Sequence, residues 1–484
     1  MHRTAFYRSL ACFHFVFLFC FAYGQQDLPT DYLSKEFHKG RRDAARGLMP
    51  DNSVMVVFAA PTRTFSNDVE YLYHQNPDLY YFTGYKEPHA VLLLFKDEQK
   101  AADGSRYNEL FFVQEKNAAA EQWTGRRLGA EGVKEQLGIT NVYPGNKFSG
   151  FTLTLDQFTK IIADVLPTDV RKGHGEGYLL NLLEQFKTKA SLTEERNEKL
   201  DTKTFRQITS KLREIKTPEE LYMIRRAVEI SSLAHNEVMK TLRPDMSELE
   251  IQGLHEYVHK RYGSEEVGYG SIVGAGENGC ILHYMENSRT RIGSNLLLMD
   301  VGASYHGYTA DVTRTIPAKG KFSPEEKIIY QLVYDAQEAA FATLKDGSTW
   351  SSASNAARDV IANGLLKLGI IKKREDVRTY YPHGLGHHIG LDVHDKSEYG
   401  PLKKDMVITI EPGIYIKPDS DCDKKWWGIA VRIEDDLLIT QNGYELLSAF
   451  SPRSVDAIEK MMAQSSVIDN YKLPPLKTVK KKPF

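Results

Sequence analysis

Two aspartates, Asp300 and Asp311, interrupt a pair of apolar segments in LLLMDVGASYHGYTADVTRTI, residues 296–316. The pattern predicts a β-hairpin, and a turn centred on Tyr305 and His306 would set the two carboxylates directly opposite each other on one face. Opposed Cβ atoms lie ~4.5–5.5 Å apart. Two buried like charges at that distance require a shared proton or a cation between them. Exposed aspartates are the simpler alternative, but their face is not plainly polar. Its other residues are Leu296, Leu298, Gly302 and Thr309.

Further side chains that bind metals follow downstream. The run HGLGHHIGLDVH places four histidines among glycines, which allow the backbone to approach other segments closely. Glu411 is predicted at the end of an apolar strand in VITIEPGIYI, just before a Pro-Gly break, and Glu434 in a second strand, AVRIEDDLLIT. Each glutamate alone is typical of an ordinary strand end. The histidines are His383, His387, His388 and His394.

Four carboxylates in these segments would balance two divalent cations and leave room for a bridging hydroxide, with one histidine adding a neutral nitrogen. They are Asp300, Asp311, Glu411 and Glu434. Oxygen-rich ligation with one imidazole suits Mn²⁺ best, with Co²⁺, Zn²⁺ or Fe²⁺ as alternatives. A pair of such ions generates a nucleophilic water at neutral pH and polarises a carbonyl group, so the residues indicate hydrolysis.

A second metal signature lies at 255–259, where HEYVH matches the H-E-x-x-H pattern. On a helix this pattern sets His255 and His259 one turn apart, and Glu277 is within reach as a third ligand. The apolar stripe of the helix runs beside the two histidines. We therefore expect them on a polar helix flank, with a zinc site as the alternative.

The glycine pattern GAGENG at 274–279 fits G-x-G-x-x-G and follows the short apolar run SIV. A dinucleotide site needs a helix that begins there, so that its N-terminus meets the pyrophosphate. The next residues, CILHYMENSRTRIG, are typical of strand and loop. We expect no dinucleotide cofactor.

The elements that must position these side chains form two domains, which a chain of 484 residues favours. Residues 25–205 alternate short apolar runs such as VMVVF and AVLLLF with helical stretches, which predicts an α/β domain. Residues 206–464 mix strands with helices and carry the candidate ligands, and residues 465–484 are predicted to be a loose tail. The predicted fold class is α/β (α+β).

Four helices are predicted in the second domain. A T-x-x-E capping box at Thr217 and Glu220 begins the first helix, and Ser247 begins the second. The other two are predicted over about 323–344 and 350–368.

Composition excludes several classes of function. A hydrophobic content of 42% and a charged content of 26% are typical of a soluble globular protein. The formal net charge of −2 provides no overall field to attract nucleic acid or an acidic membrane. Only Cys280 and Cys422 lie beyond residue 24, so we expect the core, and not a disulfide framework, to hold the protein.

The first 24 residues have the layout of a secretory signal peptide. Basic MHRTAFYR precedes apolar SLACFHFVFLFCF, and the small residues Ala22 and Gly24 precede Gln25. The apolar stretch is short for a lasting anchor, although an uncleaved anchor is the alternative. We expect residues 1–24 to be removed and the protein to be exported, periplasmic or secreted, with no stable membrane anchor after cleavage.

Five motifs of the second domain resemble, in this order, the catalytic domain of the pita-bread metallopeptidases, specifically the aminopeptidase P (Xaa-Pro aminopeptidase) family. They are IVGAGENGCILHYMEN, LMDVGASYHGYTADVTRTIP, HGLGHHIGLDVHD, TIEPGIYI and GIAVRIEDDLLIT. Residues 49–94 are similar to the N-terminal domain of that family, which has a creatinase-like fold. The resemblance covers nearly the whole mature chain and implies a creatinase-like domain followed by a pita-bread catalytic domain.

Carried over by position, the resemblance implies five metal ligands, of which Asp311 and Glu434 would bridge both ions. The five are Asp300, Asp311, His387, Glu411 and Glu434. The family spacing H-G-x-x-H-x-x-G-x-x-x-H selects His387 and not His388. The departures from the family are the signal peptide and the C-terminal tail, which put the compartment in doubt.

Further residues match positions around the metals in that family. His283 and His394 match histidines that contact substrate and stabilise the tetrahedral intermediate. His383 matches a histidine that lines the site, and Arg432 matches a neighbouring arginine.

The activity implied is hydrolysis of the bond between an N-terminal residue and a following proline. A bridging hydroxide would attack the carbonyl of the first residue, and Glu411 would pass a proton to the leaving nitrogen. That nitrogen carries no N–H in an Xaa-Pro bond, and the ring fixes φ, so a pocket shaped for the ring gives selectivity. Expected partners are peptides with proline in second position, and the family suggests a homodimer or homotetramer.

The nearest alternative is a prolidase, which has the same metal site but cleaves only dipeptides. The N-terminal domain motif favours aminopeptidase P. Hydrolysis without metal, as in creatinase, and a non-catalytic binding module are both disfavoured because all five ligand positions are filled. A zinc peptidase of the H-E-x-x-H type would require His255 and His259.

Overall fold

A computed structural model describes residues 30–101, 103–171, 175–193, 200–470 and 473. The predicted signal peptide, residues 1–24, lies outside this range, as does most of the predicted tail. None of the helices in the described residues has the length and apolar character needed to cross a bilayer.

Helices and strands alternate along the described chain. The helices are α1 (Lys35–Leu48), α2 (Pro77–Thr83), α3 (Ala118–Thr124), α4 (Gly129–Leu137), α5 (Leu179–Lys189), α6 (Thr202–Glu214), α7 (Pro218–Thr241), α8 (Glu248–Arg261), α9 (Pro324–Phe341), α10 (Trp350–Lys367) and α11 (Val455–Met462). The strands are β1 (Ser53–Phe58), β2 (Thr64–Ser66), β3 (Val69–Glu70), β4 (Val91–Lys100), β5 (Arg106–Val113), β6 (Val142–Pro144), β7 (Lys160–Ala163), β8 (Glu266–Val267), β9 (Ile272–Ala275), β10 (Leu296–Val301), β11 (Ala303–Tyr305), β12 (Tyr308–Thr309), β13 (Val312–Pro317), β14 (Val407–Ile410), β15 (Gly413–Ile416), β16 (Ile429–Arg432), β17 (Asp435–Thr440) and β18 (Gly443–Leu446).

The N-terminal domain is built on a mixed five-stranded sheet in the order β6-β5-β4-β1-β7. Strand β1 runs antiparallel to β4 and parallel to β7. Its side chains alternate between two apolar cores, with Met55 and Val57 in one and Val54 and Val56 in the other. Helices therefore cover both faces of the sheet, as the apolar run VMVVF predicts for a strand buried on both sides.

The predicted starts of the helices in the second domain are confirmed. The Thr217 side chain accepts a hydrogen bond from the Glu220 N–H, and the Glu220 carboxylate accepts one from the Thr217 N–H, completing the capping box of α7. Ser247 caps α8 by accepting the Glu250 N–H. Helices α9 and α10 fall within the predicted ranges and pack on a large core with the strands of this domain.

Strands of the second domain form four small antiparallel sheets instead of one large one. Their orders are β13-β10-β9, β12-β11-β8, β14-β17-β18 and β15-β16. A single bridge between Thr313 and Glu434 joins the first of these to the segment between β16 and β17. Several strand ends therefore meet at one place, and the candidate ligands lie there.

The predicted register of the carboxylate hairpin is wrong by two residues. Asp300 pairs with Thr313, and Tyr305 pairs with Tyr308. The turn residues His306 and Gly307 have φ of 51° and 88°. A two-residue turn with positive φ at both positions favours glycine at the second, which moves the centre of the turn by one residue. A shift of two partners keeps every side chain on its predicted face, so Asp300 and Asp311 still project from the same side.

The same turn holds the first residues of the described chain. The Tyr305 hydroxyl donates to the Asp31 carboxylate, and His306 lies between two acids, with Nε2 2.9 Å from Asp31 and Nδ1 2.6 Å from Glu265. The Tyr32 ring lies 3.8 Å from the His306 ring. The start of the described chain is thus attached to the hairpin that carries the two aspartates.

Candidate metal centre

The structure brings all nine predicted site residues to one cavity of about 300 Å³. The residues proposed as ligands come from strand ends of different sheets and from one loop, and no two are neighbours in sequence. The nine are Asp300, Asp311, His387, Glu411, Glu434, His283, His383, His394 and Arg432.

The donor set fits a metal. One nitrogen of His387 and one oxygen each of Asp311 and Glu434 lie within 4.8 Å of one another. His387 Nε2 is 3.4 Å from Asp311, 3.8 Å from Glu434 and 3.9 Å from Glu411. His387 Nδ1 lies 3.1 Å from the His388 carbonyl, to which it donates if Nε2 is to act as a ligand. This orientation directs Nε2 toward three carboxylates.

Asp300 and Asp311 are held together by a residue that sequence reasoning missed. The Tyr269 hydroxyl lies 2.6 Å from both Asp300 Oδ1 and Asp311 Oδ1. The Arg432 guanidinium donates to the other oxygen of Asp300 at 2.5 Å. Tyr269 lies 31 residues before Asp300, so no spacing rule within the hairpin indicates it.

Two further supports of the ligands were also missed. The Thr313 hydroxyl donates to Glu434 Oε2 at 2.7 Å, and the Asp311 N–H donates to Asp436 Oδ2 at 3.0 Å. Thr313 has a detectable signal, because it lies two residues after Asp311 and so shares its face of the strand. Asp436 has none beyond its place in the run EDD.

Three carboxyl groups of the cavity have raised pKa values. Burial raises the pKa of Asp311, Glu411 and Glu434, to about 7 for Glu411, and the neighbouring carboxylates raise each pKa further. Burial lowers the pKa of His387, but the hydrogen bond and charge of Asp311, with the charge of Glu411, raise it to about 9. The cavity nevertheless holds more acidic than basic side chains, and a divalent cation would supply the positive charge that the chain does not.

A chain of hydrogen bonds runs along one wall of the cavity through Tyr415. Its hydroxyl lies 2.8 Å from His383 Nε2 and accepts from Arg432 at 2.9 Å. Burial, with the charge of Arg432, lowers the pKa of His383 to about 4, so the ring is neutral at neutral pH. The His394 ring lies 4.2 Å from the His387 ring, and burial also lowers the His394 pKa.

The close approach predicted for the glycine-rich loop is present at Gly386. A Cβ atom there would lie 2.0 Å from the Thr409 carbonyl oxygen, in strand β14. The Thr409 N–H donates to the His387 carbonyl at 2.8 Å, so β14 and the loop are joined beside this glycine. The backbone contact positions His387, the only histidine of the run in the three-residue donor cluster.

The prediction that His255 and His259 lie on a polar helix flank is wrong. Each side chain is about 1% exposed on α8, and the ring nitrogens of both have no hydrogen-bond partner in the described structure. They join no group of three possible ligands among the described residues, and Glu277 pairs with Arg289. Burial lowers the pKa of both histidines, so they are neutral core residues.

The glycine pattern at 274–279 does not begin an α-helix. The segment Gly276–Cys280 after β9 forms a 3₁₀ helix of five residues. This agrees with the expectation that the motif is not a dinucleotide site. Cys280 and Cys422 are both free thiols.

Comparisons with known proteins match both domains. Residues 222–441 match the model of metallopeptidase family M24, and residues 38–160 match the aminopeptidase P N-terminal domain. The chain is 35% identical over 444 residues to the Xaa-Pro aminopeptidase of Escherichia coli strain K12, covering 89% of this chain and 98% of that protein.

Solved structures agree over the same length. Aminopeptidase P from E. coli with the inhibitor Pro-Leu matches with a TM-score of 0.78 and 32% identity, over 89% of this chain and 98% of that one. The Pseudomonas aeruginosa aminopeptidase PepP matches with a TM-score of 0.80 and 33% identity, over 90% and 99%. The predicted creatinase-like and pita-bread domains are confirmed, and the chain belongs to metallopeptidase family M24, among its members with an aminopeptidase P N-terminal domain.

Proposed function

We propose that this protein is an Xaa-Pro aminopeptidase, a metallo-exopeptidase that removes an N-terminal residue from peptides with proline in second position. The observation that carries the proposal is the single cavity in which all five candidate ligands meet three further histidines and Arg432. The matched N-terminal domain favours aminopeptidase P over a prolidase.

The residues that would hold two divalent cations are the predicted five. Asp300, Asp311, Glu411 and Glu434 would supply carboxylate oxygens, and His387 would supply a nitrogen. The oxygen-rich set favours Mn²⁺. When bound, such a pair of ions supplies a nucleophilic water at neutral pH and polarises the scissile carbonyl.

Glu411 is the acid to which we assign proton transfer. Its side chain is 20% exposed, against 2% for Glu434 and 7% for Asp311, so it is the more accessible acid from the cavity. We propose that Glu411 accepts a proton from the attacking water and then donates it to the leaving proline nitrogen, which becomes a secondary amine. His383, held by the Tyr415 hydroxyl and the Gly384 carbonyl, is neutral and lines the cavity that would take the substrate.

The remaining walls fit a short peptide. Ile272, Leu282, Met285 and Val393 provide apolar surface beside the polar groups. His283 and His394 line the same cavity and would contact the peptide and the oxyanion of the tetrahedral intermediate. The proline ring needs no N–H donor and presents a fixed shape, which an apolar wall can select.

The test is hydrolysis of an Xaa-Pro-Yaa peptide by the purified protein with Mn²⁺, measured beside the dipeptide Gly-Pro. We expect cleavage of the longer peptide, loss of activity after chelation, and recovery on adding Mn²⁺. Faster cleavage of Gly-Pro than of the longer peptide would indicate a prolidase. Undiminished activity after exhaustive chelation would contradict the two-metal site.

Export and assembly are part of the proposal. The layout of residues 1–24 supports cleavage near Gly24 and a periplasmic or secreted protein. N-terminal sequencing of the mature protein from cell fractions tests both points. A homodimer or homotetramer is tested by light scattering of the purified protein.

A further inference from the structure

A buried ion cluster joins the N-terminal domain to the loop that carries His394. Arg213, in α6, donates to Asp78 of α2 at 2.8 Å and to Asp392 at 2.7 Å, and it also bonds Asp395. Lys216 and Lys396 add the remaining positive charges, to Asp395 at 2.8 Å and to Asp78 at 2.7 Å. We call this set the interdomain ion cluster. Its members are Asp78, Arg213, Lys216, Asp392, Asp395 and Lys396.

The carboxylates of this cluster flank His394 in sequence and shape its loop. The Asp395 N–H donates to the His388 carbonyl at 2.8 Å, and the Gly390 N–H donates to the Asp392 carbonyl at 3.1 Å. A Cβ atom on Gly390 would lie 2.1 Å from Asp395 Oδ2, so the two ends of the loop touch. Within the described part of the chain the His394 side chain makes no hydrogen bond, so this loop sets its position beside His387.

Burial and the planar guanidinium restrict the side chains of this cluster more than those of a surface ion pair. The side chains of Arg213, Lys216 and Asp395 are no more than 2% exposed. A guanidinium offers its donors in one fixed plane, so three carboxylates around Arg213 are set in direction as well as distance. One of the three, Asp78, belongs to the other domain.

We propose that Arg213 and Lys216 are positioning residues, which hold Asp392 and Asp395 so that His394 faces the substrate in the metal cavity. The proposal rests on the proposed function, because it assigns His394 a contact with the peptide. It also gives the N-terminal domain a part in the reaction, through Asp78. A misplacement of ~1 Å in a group that contacts the reacting centre can lower a rate ~100-fold.

The variant that tests this is Asp392→Asn, because the Asp392 side chain is 40% exposed and its loss leaves the buried pairs in place. We expect kcat for an Xaa-Pro-Yaa peptide to fall roughly tenfold to a hundredfold, with KM and bound metal near the wild-type values. In a His394→Ala background, the same change should lower kcat less than about twofold further. If the losses in kcat of Asp392→Asn and His394→Ala multiply in the double variant, the two residues act independently and the proposal is overturned.

Two further variants separate position from charge and fold. Arg213→Lys keeps the positive charge but loses the planar fork, and we expect it to lower kcat like Asp392→Asn while binding the same amount of metal. The matched control is Glu445→Gln, which removes the carboxylate of an exposed pair with Arg225 and should leave kcat unchanged. Unchanged kcat in Arg213→Lys would contradict the role of the fork.

Crystal structures of wild type and Asp392→Asn decide the point without activity. We expect the His394 ring to move or to lose its single orientation in the variant, with His387 in place. An unmoved His394 overturns the proposal whatever the kinetics show. If the wild-type protein cleaves no Xaa-Pro peptide, the proposed function fails, and this structural comparison still tests the positioning role.

Discussion

The loop of residues 383–396 contributes to two clusters of buried charge that differ in their balance. In the interdomain ion cluster, Arg213, Lys216 and Lys396 face three aspartates. In the metal cavity, four carboxyl groups face only Arg432 and His387. Burial raises the pKa of an aspartate in either place, and the pKa of Asp392 stays raised. The charges of Arg213 and Lys216 lower the pKa of the more buried Asp395, whereas that of Asp311 is raised.

The contrast separates a structural cluster from a ligand site. Carboxylates that are paired with positive side chains of the same chain need no further positive charge in the folded protein. Carboxylates of similar burial that it leaves unneutralised require a proton or a cation from solution. By this criterion the cavity is built to bind positive charge, and the interdomain ion cluster is built to fix geometry.

The largest effect should come from Glu411→Gln, which keeps the shape of the side chain and removes its charge and its proton acceptor. We expect the turnover of Xaa-Pro peptides to fall ~10³-fold or more, while the bound metal, measured by elemental analysis, survives at least in part. Near-normal turnover in this variant would remove Glu411 from its assigned role.

On the other side of the comparison, Asp395→Asn breaks the balanced cluster. It leaves Lys216 buried without its partner charge and removes one of the three carboxylates around Arg213, so we expect the free energy of unfolding in urea to fall by about 3–5 kcal/mol. Asp421→Asn, which breaks the exposed pair with Lys372, is the control and should leave the unfolding midpoint unchanged. Equal midpoints for both variants would show that the cluster contributes no stability.

The pH dependence of stability should differ between the metal-free and metal-loaded protein. Without metal, Glu411 holds its proton up to about pH 7 and His387 up to about pH 9, above the ordinary pKa values of 4.5 and 6.5. The folded chain then binds more protons than the unfolded chain, so the free energy of unfolding falls as pH rises from about 5 to about 9. Thermal unfolding with and without chelator measures this, and the metal-loaded protein should lose less stability because its ligands are already deprotonated. Parallel curves would contradict the assignment.

The smallest effect on catalysis should come from the second metal signature. Alanine at both His255 and His259 creates cavities in α8 and should lower the thermal midpoint, but kcat of the folded fraction should stay within about twofold of wild type. If the double alanine variant lost both its activity and bound zinc, the result would favour a zinc site at His255 and His259.

The sequence was sufficient to nominate candidate ligands that the fold brings to one cavity, because the four carboxylates lie at or near the ends of apolar strands and the family resemblance selects His387 from the glycine-rich loop. It also predicted the face shared by Asp300 and Asp311, since a slip of two residues preserves the face. The predicted pairing of residues across the hairpin was wrong because a turn centred on Tyr305 and His306 ignores the preference for glycine, here Gly307, at the second turn position. The burial of His255 and His259 was missed because polar side chains beside an apolar stripe can lie on either the buried or the exposed face of a helix.

The remaining errors of omission have one cause. Tyr269, Tyr415, Asp436 and Arg213 act on residues from 17 to 182 positions away. These residues contact their partners only in the folded protein, where separate sheets and the two domains pack together. Local periodicity in the sequence does not indicate such contacts. Only Thr313, on the same strand face as Asp311, carried a signal that could be read in advance.

The attachment of Asp31 to the hairpin turn matters to anyone who prepares this protein. If the chain is cut after Gly24, Asp31 becomes the seventh residue, and its bonds to Tyr305 and His306 lie on the ribbon that carries the candidate ligands Asp300 and Asp311. An affinity tag or trimming at this end would act on the active centre through that ribbon. A fusion at the opposite terminus avoids it.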